Sequence, residues 1–460
     1  MLNNIIQHDT LTEKYNVPAP RYTSYPTMPY WDLNTFSVEK WEQTVKRSIT
    51  ESNFNDGISL YIHLPFCESL CTYCGCNTRI TKNHGVELPY IEAVLKEWQM
   101  YCAVMTEIPV IREIHLGGGT PTFFKAENLK VLIEGLFENA IIHRDAEFSF
   151  EAHPANTTFD HLQTLYNLGF RRLSLGIQDF DPNVQFIINR QQSFEDVKRV
   201  TDNARLIGYT SINYDLIYGL PLQTLEGLAN TIQLVNTLLP ERIAFYSYAH
   251  VPWIKPGQRK FTELDLPDAQ TKRKLYETGC QLLKQNGYQE IGMDHFALPN
   301  DELFLAELSG NLHRNFMGYT HHHTQLLVGL GVSSISDSLY GFAQNVKVVE
   351  EYLNLINNGQ LPVFKGHILT EEDLLIRTLI LDIMCKGFTE WTIDMISKSP
   401  ALTLSMEKLV PLANDGLIEL SETGLKVTPN GKRFLRNICM AFDARLWNKE
   451  PETRLFSMAV

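Results

Sequence analysis

The 460-residue sequence has no uninterrupted apolar run of the roughly 18 residues that a membrane-spanning helix needs. Its first ten residues, Met1 to Thr10, offer neither a basic n-region nor an apolar h-region, so no secretory leader is expected. Cationic excess is also missing. Lys and Arg number 40 against 53 Asp and Glu, for a formal net charge of −13. That balance excludes a broad electrostatic footprint for nucleic acid, while leaving room for a local basic pocket around a small anion. Cysteine is scarce, at eight residues, which excludes a disulfide scaffold. There is no low-complexity segment and no repeat of solenoid period. What remains is a cytoplasmic chain, 44% hydrophobic, long enough for a buried core and two or three domains.

Six short apolar, β-rich runs stand out: Ile58–Pro65, Arg112–Gly119, Glu147–Pro154, Arg171–Gln178, Ser211–Pro221 and Arg242–His250. Between them lie segments with i, i+3, i+4 apolar spacing, such as Tyr90–Met105 and Leu129–Glu138. The alternation predicts an α/β fold with a parallel sheet and crossover helices. An open partial barrel and a doubly wound sheet both fit six repeats. In either, ligands belong at the C-terminal ends of the strands. Gly117–Pro121, Glu151–Pro154 and Gly219–Pro221 gather there.

Residues 1–57 read as a separate N-terminal extension, whose Pro20–Thr27 (PRYTSYPT) is too rich in proline and β-formers for a long helix. Residues 58–365 hold the barrel and its extension. From 366 the pattern changes to helices at Glu371–Cys385 and Met406–Asn414, two short strands within Leu417–Thr428 and a helix over Gly431–Asp443. That order is winged-helix-like. Its basic residues, among them Lys426, Lys432, Arg433, Arg436 and Arg445, read as a solvated face rather than a nucleic-acid surface.

Cys67, Cys71, Cys74 and Cys76 fall within ten positions, just after the first strand. In a reducing compartment this is a metal-binding pattern. Thiolates are the usual ligands of iron–sulfur clusters, and C-x3-C-x2-C can direct three sulfurs to three corners of a cube. The fourth iron would be open to a substrate or cofactor. A structural zinc site would need a fourth ligand, for which Cys76, His63 or His84 are the candidates.

This motif, in this place, resembles the radical S-adenosylmethionine superfamily. Further stretches resemble the oxygen-independent coproporphyrinogen III oxidases: Pro20–Thr27, Cys67–Cys76 with its Cys-Gly-Cys ending, His115–Thr122 (HLGGGTPT), Ser174–Phe180, Asp215–Pro221, Ile291–Ala297 and Asn315–Thr320. The likeness implies a partial (β/α)6 TIM-like barrel with an N-terminal extension contributing to the active site and a mostly helical C-terminal domain. It implies a [4Fe–4S] cluster on Cys67, Cys71 and Cys74, with Cys76 outside the ligand set, and S-adenosylmethionine chelating the unique iron. The implied reaction decarboxylates two propionates of coproporphyrinogen III to vinyl groups, giving protoporphyrinogen IX and consuming one S-adenosylmethionine per propionate through a 5′-deoxyadenosyl radical. A flavodoxin-type electron donor and a monomeric state are further expectations.

The matched S-adenosylmethionine positions are Tyr61, Tyr73, Gly118, Gly119, Thr120, Glu151, Gln178, Arg190, Asp215, Ala249 and Ile335. Tyr61 and Arg21 are the candidate catalytic residues. Arg21 is the expected contact for one propionate, because a four-carboxylate macrocycle calls for arginine forks. Taken singly, Glu151 and Asp215 read equally well as helix caps, Arg190 as a surface ion pair and Gly117–Gly119 as a plain turn. The run His321-His322-His323 departs from the family pattern, which has a second threonine and an acidic residue after Gly318-Tyr319-Thr320. Consecutive histidines rarely converge on one ion, so an incidental polar run is expected there. Of two rival readings, a haem-chaperone paralogue is opposed by the PRYTSYPT segment and the Cys-Gly-Cys ending. A DNA-binding tail is opposed by the acidic net charge.

Overall fold

A computed structural model describes residues 11–448 and 456–459. Six strands follow the six predicted runs: β1 (Ile58–Leu64), β2 (Val110–Gly118), β3 (Ile141–Ala152), β4 (Phe170–Gln178), β5 (Ser211–Tyr218) and β6 (Arg242–Ser247). All six pair in parallel, each with the next in the chain. Strand order equals chain order, so there is no switch point and the doubly wound alternative falls away. The structure is a partial (β/α)6 barrel.

Polar start signals set where the crossover helices begin. α1 (Val38–Ser52) precedes the barrel, and α2 (Glu87–Val104), α3 (Ala126–Phe137), α4 (Phe159–Asn167), α5 (Phe194–Ile207) and α6 (Leu225–Leu238) connect its strands. Thr158 and Ser193 form capping boxes at α4 and α5, and Thr224 caps α6. α5 stops at Gly208, whose φ of +116° is left-handed.

The sheet extends past the six runs at both edges. On one side β8 (His295–Ala297) adds antiparallel to β6, and β7 (Gln289–Ile291) adds antiparallel to β8 at the edge. On the other, β9 (Leu326–Leu330) runs parallel to β1, with Tyr61 opposite Gly329. β10 (Ile335–Asp337), β11 (Gly341–Asn345) and β12 (Val363–Ile368) continue antiparallel, for twelve strands in all. β9 is a wholly buried five-residue apolar run. A search for strands followed by helices passes over it, because antiparallel strands follow instead.

Two elements beside this edge bear on the site. α7 (Ala269–Gln285) follows β6, and α8 (Glu302–Ser309) follows β8. The tail holds α9 (Glu371–Lys386), α10 (Pro400–Asn414) and a small sheet of β13 (Phe388–Glu390), β14 (Ile418–Ser421) and β15 (Gly424–Val427). The helix expected over Gly431–Asp443 is broken. Gly431–Phe434 is a 3₁₀ turn and α11 spans only Leu435–Met440. Gly431 lies against the Leu417 carbonyl, where a Cβ would sit 1.9 Å from that oxygen, so the segment enters as a tight turn.

Two large hydrophobic cores result, beside a small cluster around Val184 and Phe261. The first lies between sheet and helices and includes Trp41, Trp98, Phe150, Phe170 and Phe245. The second joins Tyr22 and Tyr25 of the N-terminal segment to Ile376, Ile380, Leu402, Phe434, Ile438 and Phe442 of the tail. Tyr22 donates its hydroxyl to Asp443 at 3.1 Å, and Arg436 Nε donates to the Pro20 carbonyl at 3.0 Å. Sequence-distant segments thus fold as one layer over the barrel.

Candidate active site

The thiol loop leaves the end of β1. Phe66 and Cys67 pair with Arg79 and Ile80, closing the loop at its base. Its far side is fastened to the segment after β4. Thr72 donates its backbone N–H to Ile188 at 2.9 Å and its hydroxyl to Ile187 at 3.1 Å, and Asn189 Nδ2 donates to the Leu70 carbonyl at 2.8 Å. Beyond β6, Lys255 Nζ donates to the Cys76 carbonyl at 3.2 Å. All eight cysteines are free thiols.

Each of the three motif sulfurs faces a group able to donate to it. The Thr120 hydroxyl lies 3.3 Å from Cys67 Sγ, Arg190 Nη1 3.7 Å from Cys71 Sγ, and the Cys76 N–H 3.4 Å from Cys74 Sγ. Burial pushes the Cys67 thiol up to about 11, whereas the Cys76 contact brings Cys74 down to about 6. Donors aimed at three clustered sulfurs are the chemistry of thiolates holding an anionic cluster. The two histidine alternatives for a zinc site are otherwise engaged. His63 uses both ring nitrogens, on Tyr61 at 3.1 Å and the Asn77 carbonyl at 2.8 Å, and His84 pairs with Glu87.

Gly118 and Gly119 do need to be glycine, and the reason is packing against β1. A Cβ on Gly118, at φ +107°, would sit 2.5 Å from the His63 ring, and one on Gly119 would sit 2.6 Å from the Pro65 carbonyl carbon. The turn thus seats Thr120 beside Cys67. Glu151, at the end of β3, accepts the Gly118 N–H at 3.3 Å and lies 3.5 Å from His115 Nε2. Burial works to raise its carboxyl, but the His115 contact and the Gly118 amide outweigh it and hold the group below its usual range. Tyr61 stacks on His115 with ring centroids 6.0 Å apart.

Asp215 on β5 accepts from Asn213 Nδ2 at 2.9 Å and the Ser174 hydroxyl at 3.1 Å. Burial, with Glu151 nearby, pushes it up to about 6. Gln178 closes β4 in a left-handed conformation, φ +66°. Arg190 clamps the Gly176 carbonyl through Nε at 3.1 Å and Nη2 at 2.6 Å. It is therefore no exposed ion pair. Tyr73 packs on the apolar cluster of Val184, Ile188, Leu220, Tyr248 and Phe261. The Ala249 carbonyl accepts from Gln258, which also reaches the Tyr73 carbonyl. Ile335 begins β10, against Gly329 near the C-terminal end of β9 and so beside the register partner of Tyr61.

Arg21 lies at the mouth next to β6. It donates to the Ser247 carbonyl at 3.3 Å, pairs with Asp294 at 3.8 Å and lies over the Tyr246 ring. It lines a cavity of about 250 Å³ with Tyr218, Lys272, Arg273, Asp294, Lys432, Arg433 and Arg436. Arg273 Nη1 is buried there without a hydrogen-bond partner.

The residues that sequence reasoning missed are supporting ones. They are His115, Ser174 and Asn213 inside the barrel, and the cations of α7 and the tail around Arg21. His115 and Asn213 stand two positions from Gly117 and Asp215 on the same strand face, so period-2 alternation from the motif residues was an available signal. The α7 and tail cations had none, because tertiary packing alone brings them to residue 21.

A protein-family model described as the radical SAM superfamily matches residues 61–235, from Tyr61 through most of α6. The chain is 39% identical over 445 residues to the oxygen-independent coproporphyrinogen III oxidase of Escherichia coli K12, covering 95% of each. It is 38% identical to that of Synechocystis over 460 residues, covering 98% of this chain and 97% of the relative. The chain belongs to the oxygen-independent coproporphyrinogen III oxidase family. The solved coproporphyrinogen III oxidase of E. coli, a radical SAM enzyme, superposes with a TM-score of 0.86 over 92% of this chain and 97% of that one, at 38% identity. This family member is thus a radical SAM enzyme, with a [4Fe–4S] cluster and S-adenosylmethionine as its cofactors. Among its described residues no helix is long and apolar enough to cross a membrane.

Proposed function

We propose that this chain converts two propionate side chains of coproporphyrinogen III to vinyl groups, giving protoporphyrinogen IX in porphyrin synthesis without oxygen. The observation that carries the reading is the thiol loop at the mouth of the barrel, with a donor on each of its three sulfurs, in a chain 39% identical to such oxidases over 95% of its length.

Cys67, Cys71 and Cys74 are the residues that would hold the cluster. Bound there, the cluster and S-adenosylmethionine supply the one-electron chemistry that yields a 5′-deoxyadenosyl radical for hydrogen abstraction from a propionate. The protein's own part is to bind and orient. Gly118, Gly119 and Thr120 hold the turn beside Cys67, and Glu151, kept ionised, offers an acceptor to an ammonium or hydroxyl. Arg190 keeps a positive charge next to Cys71 and braces β4. Asp215, Gln178 and Ala249 line the strand ends for the remaining polar contacts. Tyr61, with Tyr73 and Ile335, supplies flat apolar surface. Arg21 is assigned to a substrate carboxylate. Its support is the basic cavity it lines, where cations outnumber acids and one guanidinium nitrogen is unpaired.

The reading divides the chain into an extension (1–57) that carries Arg21 to the mouth, a barrel with its extension (58–365) and a winged-helix-like cover (366–460). It takes the chain as a cytoplasmic monomer, without nucleic-acid or membrane partners, that draws electrons from a flavodoxin-type donor.

The test is an anaerobic assay with reconstituted cluster, a reductant, S-adenosylmethionine and coproporphyrinogen III. Protoporphyrinogen and 5′-deoxyadenosine should appear together. Adenosylmethionine cleavage with the porphyrinogen untouched would overturn the substrate assignment.

A further inference from the structure

The floor of the barrel carries a cluster that the proposed reaction does not use. Glu147 on β3 stands four residues before Glu151, about 13 Å away along the strand. Two of the three consecutive histidines meet it. His321 Nε2 lies 2.9 Å from Glu147 Oε2 and 3.1 Å from Glu302 Oε2 of α8, and His322 Nε2 lies 3.4 Å from the same Glu147 oxygen. Where an incidental polar run was expected, the chain gathers the two imidazoles, tilted by 47° with ring centroids 3.9 Å apart, over one carboxylate. His323 turns away to His313.

Two readings of these contacts differ in geometry. Hydrogen bonds would point imidazole N–H groups at the carboxylate. Yet Glu147 Oε2 is buried with no aligned hydrogen-bond partner, and so is His321 Nδ1. Ligands of one ion instead turn lone pairs toward a shared point. Around a tetrahedral Zn²⁺, with bonds of about 2.0–2.1 Å, ligand atoms stand about 3.3 Å apart. The His322 separation of 3.4 Å matches that edge, and the His321 separation of 2.9 Å falls short of it. Arg172 takes the other oxygen, Oε1, and so fixes the carboxylate with Oε2 turned to the histidines. Arg112 contacts His322 Nδ1 at 3.3 Å and His143 at 3.0 Å. Coordination through Nε2 leaves a proton on Nδ1, so Arg112 would keep His143 alone. A cavity of about 510 Å³ opens beside His321, His322 and His323 and gives an ion a way in.

We propose that Glu147, His321 and His322 bind one zinc-class divalent ion at the N-terminal end of the barrel. Imidazole nitrogen and carboxylate oxygen without thiolate suit such an ion. Three protein ligands leave the fourth position to water. The ion would tie β3 to the loop after Thr320 beneath the barrel.

The probe is Zn²⁺ itself, titrated by calorimetry into anaerobic holoenzyme whose thiols already hold the cluster. Zinc K-edge absorption then reads the ligands. One Zn²⁺ per chain is expected, with a nitrogen/oxygen shell at about 2.0 Å and no sulfur at about 2.3 Å. His321→Gln and His322→Gln should each weaken binding by more than the roughly 10–100-fold that losing an outer-shell partner costs. Iron content and 5′-deoxyadenosine yield should stay unchanged. Absence of binding, a sulfur shell, or unaltered affinity in the double variant would overturn the site. Should the histidine variants misfold, the absorption spectrum of zinc-loaded wild-type protein decides, because its shell counts the imidazoles directly. A shell with fewer than two imidazoles would overturn the site.

Discussion

Glu151 and Glu147 are the same residue type on one face of one strand, four positions apart, and their neighbours give them opposite uses. Both carboxyls are held below their usual range against the pull of burial, one by His115 and the Gly118 amide, the other by the Arg172 guanidinium with two imidazoles. The upper side chain is 43% open and the lower only 12%. An ionised carboxylate that stays open offers itself to a small molecule, whereas one enclosed by a guanidinium and two imidazoles holds protein elements together. The mouth of this barrel is built from thiols, glycine and open acceptors, and its floor from arginine, histidine and closed pairs.

The largest way to break that contrast is at the mouth. Cys71→Ser should abolish both cluster iron and 5′-deoxyadenosine formation while leaving Zn²⁺ binding at the floor intact. Iron analysis and product chromatography on one preparation check it. Arg21→Ala should lower kcat/KM for coproporphyrinogen by about 10–100-fold, the cost of one charge-assisted contact of roughly 1.5–3 kcal/mol. S-adenosylmethionine cleavage in the absence of porphyrinogen should not change. If steady-state kinetics are unaltered, Arg21 has no part in substrate binding.

Gly119→Ala drives a methyl into the Pro65 backbone and should cost about 1–3 kcal/mol. A urea midpoint equal to the wild type would show that the turn has slack. The smallest effect concerns pH. Asp215 is raised from 3.8 to about 6, so the folded state binds its proton more tightly than the unfolded chain does. Stability should therefore decline as pH rises from about 4 to 6, and Asp215→Asn should flatten that decline. Glu147 has the opposite sign. Its contribution is present above the ordinary glutamate range and fades as pH falls below it, so Glu147→Gln should remove an acid-side loss. Urea melts at several pH values separate the two carboxylates.

The barrel was legible in the sequence because each of its strands is a local apolar run followed by a helical repeat, and its site because the motif residues sit where those strands stop. β1 and β4 begin or end within a residue of the expected positions. β9 and the cations beside Arg21 were hidden for a common reason. Nothing in the residues around Leu326 or Arg433 announces a partner that lies more than two hundred positions away. The histidine run misled for a related cause. Adjacent residues on an extended strand point apart, but the turn after Thr320 brings two neighbouring rings together, and Glu147 supplies the point on which they converge.

The joint layer formed by residues 15–31 and the tail also has a consequence in time. Ala19 N–H pairs with the Ser457 carbonyl, and Arg436 Nη1 with that of Met458. A ribosome therefore delivers the barrel, the thiol loop and Arg21's own partners Ser247 and Asp294 before the tail residue that braces Pro20 exists. A nascent chain halted near residue 365 would own a cysteine loop with only the Arg21, Lys272 and Arg273 part of its basic vestibule. The vestibule is thus completed only once Lys432, Arg433 and Arg436 have been made and packed against the N-terminal segment.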